Sequence, residues 1–121
     1  MRILCLHGYN NTNEIMMYQM QNFINTTGDL CEFSFIEGPR IANDPPIKYF
    51  VDKGITPPYK RWMTMNYKPW RNMPDGSQEL AISKTQANFV NVIESVYFII
   101  DHMNRQDEPY DGIAGFSQGV Y

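Results

Sequence analysis

Histidine and cysteine are scarce in this chain of 121 residues: His7 and His102 are its only histidines, and Cys5 and Cys31 its only cysteines. Neither histidine has a second histidine, a cysteine or a carboxylate at ligand spacing. A metal requires three or four such donors, so none is expected. Both cysteines sit inside apolar runs, where a reduced buried thiol is the expected state in a small intracellular protein. Basic residues are also sparse, ten against thirteen acidic ones for a formal net charge of -3. No cluster is denser than Lys60-Arg61, which argues against a nucleic-acid surface. The chain has neither a Gly-x-x-x-x-Gly-Lys-[Ser/Thr] stretch nor a Gly-x-Gly-x-x-Gly cluster, so the usual phosphate cradles are missing and no cofactor is expected. No apolar run approaches the ~18 residues of a membrane span. The opening MRILCLHG lacks the length and the small-residue cleavage site of a signal peptide, reads as a core strand, and points to a cytoplasmic protein.

What is present is 43% hydrophobic, enough for one domain with one core. Arg2 to Leu6 is short, apolar and bounded by His-Gly, as in a strand buried on both faces. Thr12 or Asn13 caps a helix from Glu14 to about Asn25, with Ile15, Met16, Met20, Phe23 and Ile24 on one stripe, and Gly28 closes it. Cys31 to Ile36 alternates as a second strand that ends at Gly38-Pro39. Residues 39–75 hold seven of the eight prolines together with Trp62, Trp70, Tyr49, Tyr59 and Tyr67. That stretch is too aromatic to be disordered and reads as a lid-like insertion or pocket wall. Asp75 or Ser77 then caps a long helix, Asp75 with Gln78 resembling a capping box, and Ile82, Gln86, Phe89, Val90, Ile93, Val96, Tyr97, Ile100 and Met103 keep helical spacing. Tyr110 to Ala114 is a third strand. The order strand, helix, strand, lid, helix, strand predicts an α/β fold with a parallel sheet and right-handed crossovers.

The third strand leads into Gly115-Phe116-Ser117-Gln118-Gly119. A Gly-x-Ser-x-Gly stretch at the end of an apolar strand has the context of a nucleophile elbow. Gly115 and Gly119 allow the tight passage between strand and helix, and Ser117 stands at the turn. The backbone N–H of Gln118 then points at a developing oxyanion. His7-Gly8-Tyr9-Asn10 ends the first strand, where hydrolases of this class place their other oxyanion donor, here the Tyr9 N–H. His7 is either a catalytic base or a hydrogen-bonding residue of the loop. The order of these triads, serine before acid before histidine, favours the loop role. His102 falls near a helix end, at the surface or a rim.

Together these segments resemble the FSH family of serine hydrolases, a branch of the α/β-hydrolase fold. The resemblance is carried by RILCLHGYNNTNEIM, CEFSFIEGP and, most specifically, PYDGIAGFSQGV, with Trp70 and the aromatic middle in keeping. Acyl-protein thioesterases share Gly-Phe-Ser-Gln-Gly, but they usually follow His-Gly with Leu-Gly-Asp, where this chain has Tyr9-Asn10-Asn11. The resemblance implies Ser117 as nucleophile and the Tyr9 and Gln118 N–H groups as oxyanion hole. It also implies that residues 1–121 are the amino-terminal part of one hydrolase domain, three parallel strands with flanking helices, the later strands and the triad acid and base lying beyond Tyr121. The substrate would be a small ester or thioester with an apolar acyl group. Trp62 and Trp70 would wall its pocket, or the aromatic residues simply cover the sheet. Three readings stay open: the front portion of a complete esterase, a non-catalytic structural subunit of a larger assembly, and one of two chains that complete a fold. In each, the third strand is an unpaired edge that a protein partner or later strands must cover.

Overall fold

The computed structural model of the chain describes residues 1–66, 70–80 and 88–120. Strand β1 (Arg2–Leu6) leads to helices α1 (Asn13–Gln19) and α2 (Gln21–Thr27), a 3-10 turn at Gly28–Leu30 and strand β2 (Glu32–Ile36). The expected single helix is divided at Met20, whose φ of -90° and ψ of 0° interrupt the α geometry. Ile15 and Met16 of α1 are buried, whereas α2 buries no residue. Thr12 caps α1 by accepting the Ile15 N–H through Oγ1 at 3.2 Å, and Gly28, at φ 50°, ends α2.

The described residues of the segment expected to be a lid form regular elements. Strand β3 (Arg40–Ala42), helix α3 (Lys48–Asp52) and strand β4 (Tyr59–Arg61) follow in order, with β3 and β4 antiparallel. Their core of Ala42, Phe50, Ile55 and Tyr59 closes on Ile15 of α1. Strands β5 (Thr64–Asn66), β6 (Trp70–Asn72), β7 (Gln78–Leu80) and β8 (Asn88–Val90) form two antiparallel pairs, β5 with β8 and β6 with β7.

Here the long predicted helix is corrected. Helix α4 spans only Val92–Asn104, and Gln78 and the Phe89-Val90 pair lie in strands. The Asp75 carboxylate, read as a helix cap, accepts from Ser77 N–H at 2.9 Å and Ser77 Oγ at 2.5 Å. With Gly76 at φ 84°, it closes the β6–β7 hairpin as an Asx turn. Asn91 at φ 72° stops any helix from entering α4 from the amino side. Ile82 and Gln86, the other residues of that expectation, lie outside the described residues.

Strand β9 (Gly112–Gly115) completes a three-stranded parallel sheet in the order β2-β1-β9. Leu4 and Cys5 of the central strand are fully buried, as expected for a strand covered on both faces. Leu4 and Leu6 pack with Trp62, against Ile99 and Met103 of α4 and Tyr110. Burial pushes the Cys5 thiol up to about 11, and both cysteines are free. Among the described residues β9 pairs on one side only, and Ile113 is exposed on it. The architecture is thus a partial α/β fold of three parallel strands with flanking helices, and the carboxyl ends of β1 and β9 meet where the candidate site lies.

Candidate active site

The turn out of β9 is tight because backbone runs against backbone. A Cβ on Gly115 would lie 2.3 Å from the Gly119 carbonyl oxygen, and one on Gly119 would lie 2.4 Å from the Leu6 carbonyl oxygen. No other residue fits either position without moving the chain. Two bonds fix the turn: Phe116 N–H donates to Leu6 O and Gly119 N–H to Phe116 O, both at 3.0 Å. At its apex Ser117 has φ 51°, a left-handed conformation that costs a non-glycine residue about 1–2 kcal/mol and persists only where its surroundings hold it. A 3-10 turn, Ser117–Val120, follows. Its first bonded amide is that of Gly119, so the Gln118 N–H stands ahead of the bonded turn, where helical N–H groups have no internal partner.

The loop after β1 passes directly beside this serine. A Cβ on Gly8 would lie 3.3 Å from Ser117 Cβ and 3.2 Å from Phe116 Cδ1. The next three residues are each tied to the ordered insertion. The Tyr9 hydroxyl donates to Asp44 Oδ2 at 3.1 Å, and Asn10 Nδ2 donates to Pro45 O at 3.3 Å. Asn11 exchanges two backbone bonds with Lys60, at 3.1 and 2.8 Å. Burial, followed by the Asp44 carboxylate, raises the Tyr9 phenol above its ordinary value, which keeps it a donor at neutral pH.

His7 is fully buried with both ring nitrogens engaged. Nε2 faces the Gly38 N–H at 2.9 Å and therefore accepts, which leaves the proton on Nδ1, donating to Gly8 O at 2.6 Å. Burial lowers its pKa below the ordinary imidazole value. His7 is thus a neutral residue that joins the loop to the end of β2, in the loop role. His102, half-buried on α4, bonds the Tyr110 hydroxyl through Nε2 at 3.0 Å. Among the described residues no group of three or more His, Cys, Asp or Glu could hold a metal ion, and no helix is long and apolar enough to cross a membrane.

Trp62 does not wall an open pocket. It is 3% exposed, packs on Leu4 and Leu6, and stacks at a tilt on His7 with ring centroids 5.1 Å apart. The space beside it measures about 50 Å³, well below the ~300 Å³ at which ligand pockets begin. Trp70 is described as a backbone position in β6; its side chain lies outside the described residues. An open groove that reaches Phe116, the residue before Ser117, is a different one, about 490 Å³, lined among others by Tyr9, Asn10, Pro45, Ile47, Phe50 and Phe116. Sequence reasoning did not single out Asn10 or Phe116 as walls, whereas Pro45, Ile47 and Phe50 lie in the 39–75 stretch that it read as a lid-like insertion or pocket wall. The signal for them was the Pro45-Pro46-Ile47 stretch, which rigidifies an apolar segment without hydrogen-bonding it to a sheet.

The arrangement brings Gly8 against Ser117, and Gly119 against Gly115 and the end of β1, with Tyr9 following Gly8 and Gln118 following Ser117 in the chain. The model of a family described as serine hydrolase (FSH1) matches residues 1–121. Esterase GA18864 of Drosophila pseudoobscura pseudoobscura is 27% identical over 98% of this chain and 36% of its own length. Esterase CG5412 of Drosophila melanogaster is 29% identical over 98% of this chain and 38% of its own length. Esterase FUS5 of Gibberella moniliformis is 27% identical over 98% of this chain and 44% of its own length. The chain thus spans less than half the length of the curated relatives it matches. No solved structure gives a significant match.

Proposed function

Because the chain belongs to the serine hydrolase (FSH1) family, whose fold is the α/β-hydrolase fold, we propose that it is the amino-terminal part of an esterase or thioesterase domain in which Ser117 is the nucleophile. The observation that carries this reading is the left-handed Ser117 held between Gly115 and Gly119, the strained turn that lifts a serine hydroxyl clear of the sheet.

In this mechanism Ser117 Oγ attacks the acyl carbon, and the backbone N–H groups of Tyr9 and Gln118 receive the oxyanion of the tetrahedral intermediate. Collapse expels the alcohol or thiol, and water releases the acyl group from Ser117. An apolar acyl chain lies in the groove between Phe116 and Ile47. The acid and the histidine that activate Ser117 come from outside residues 1–121. Supporting this are the two engaged ring nitrogens of His7 and the His102–Tyr110 bond, which leave neither histidine facing the elbow. Ser117→Ala in the full chain is expected to reduce hydrolysis of a p-nitrophenyl ester by several powers of ten; near-native turnover by that variant would reject the assignment.

A second reading is favoured by one observation. Ile93, Val96, Tyr97 and Ile100 form an exposed apolar stripe on α4, and among the described residues β9 has one open side, so the chain can act as a non-catalytic structural subunit whose open edge a partner covers. A monomeric, cooperatively melting 121-residue chain would count against it.

A further inference from the structure

We infer that Trp62 is a positioning residue of the active site, holding the loop after β1 and the serine elbow at a fixed separation through bonds to both. The inference rests on the roles proposed above for Ser117, Tyr9 and Gln118. The Trp62 indole Nε1–H donates to the His7 carbonyl oxygen at 2.7 Å, one peptide ahead of the Gly8-Tyr9 segment. Its backbone N–H donates to Gln118 Oε1 at 2.8 Å, the Met63 N–H reaches the same oxygen at 3.3 Å, and Gln118 Nε2 donates to Met63 O at 3.0 Å. The Ser95 hydroxyl of α4 closes the set by donating to Trp62 O.

Burial gives these bonds their force. Trp62, Met63, His7, Ser95 and Gln118 are all at most 5% exposed, so water cannot replace a lost partner and each group would be left unsatisfied. Packing over Leu4 and Leu6 needs only a large apolar ring. The indole N–H adds one thing to that ring, the bond to His7 O. The Gln118 side chain points inward to Trp62 and Met63, so the amide that anchors the elbow and the backbone N–H offered to the oxyanion belong to one residue. Trp62 is thereby bonded to the segment carrying each of the two donors.

A donor displaced by about 1 Å forfeits up to a hundredfold in rate without weakening ground-state binding. In the full chain, Trp62→Phe keeps the ring and deletes the indole donor. Its kcat is expected to fall about tenfold to a hundredfold with KM within about twofold, and affinity for a trifluoromethyl ketone to fall by the same factor as kcat/KM. Gln118→Glu keeps the shared acceptor and loses the bond to Met63, so it is expected to show a smaller loss of the same kind. It carries the test if Trp62→Phe does not fold. Combining the two is expected to cost less than the product of the single effects, since both loosen one strap. Native kcat in both variants with only a lowered Tm, or strictly multiplicative losses, overturns the inference. Ser117→Ala made alongside separates the cases: activity surviving there removes the nucleophile and this inference together. Loss there with native kcat in both strap variants removes this inference alone.

Discussion

A methyl group on Gly119 would meet the Leu6 carbonyl oxygen at 2.4 Å and the His7 carbonyl oxygen at 2.9 Å, where ordinary contact begins near 3.4 Å. Both oxygens belong to the backbone at the end of β1, in the centre of the sheet, so neither can swing away as a side chain would. In Gly119→Ala the elbow must therefore withdraw by about 1 Å, a displacement that costs roughly a hundredfold in kcat when it moves a reacting group. Overpacking a tight site costs about 1–3 kcal/mol of stability, or roughly 3–10 °C in Tm for a chain of a few hundred residues. Thermal melts and ester hydrolysis on the full chain measure both. Gly28→Ala is the control, because that glycine has positive φ but nothing within 4 Å of the added methyl: it is expected to lose stability through strain and to keep kcat. A Gly119→Ala protein with native Tm and native kcat would refute the close approach of elbow and β1 on which the site is built.

Two further outcomes follow from the loop and from the first helix. His7 is depressed by burial, so the unfolded chain takes up a proton first as pH falls. Stability is full above the ordinary imidazole value of 6.5 and declines as pH drops below it, by up to about 1.4 kcal/mol per pH unit. Denaturant melts between pH 7.5 and 5 check this, and His7→Gln retaining the native slope would show that another group titrates. Thr12→Ala removes the cap on the Ile15 N–H and is expected to cost about 1 kcal/mol with no change in kcat, read from the same melts and assays.

Much of the site was legible in the sequence because its requirements are local. Gly115, Ser117 and Gly119 fall where a strand must turn sharply, and the short apolar run Arg2–Leu6 announces a central strand by its length and lack of alternation. The long helix was misread for an equally physical reason. Apolar spacing through Phe89 and Val90 fits a helix as well as a strand, and an aspartate two residues before a serine serves a hairpin turn as readily as a cap. Only the left-handed Asn91 and the partner strand β5 decide between them, and neither is visible in a one-dimensional pattern. Two readings of Trp62 stayed open because composition cannot tell a ring that lines a groove from one that covers the sheet, and its packing on Leu4 and Leu6 favours the second. The groove was legible only in part: Pro45, Ile47 and Phe50 lie in the stretch read as a pocket wall, but Tyr9 and Phe116 come from two other stretches that only the fold brings beside it.

The central claim, that Ser117 is the reactive nucleophile, is tested most directly by treating the full chain with a fluorophosphonate and mapping the adduct by peptide mass. Ser117 Oγ would displace fluoride at phosphorus and keep the phosphonyl group. The account predicts one stoichiometric adduct on the peptide carrying Ser117, and none in Ser117→Ala. An unlabelled protein, or an adduct on any other residue, would contradict it.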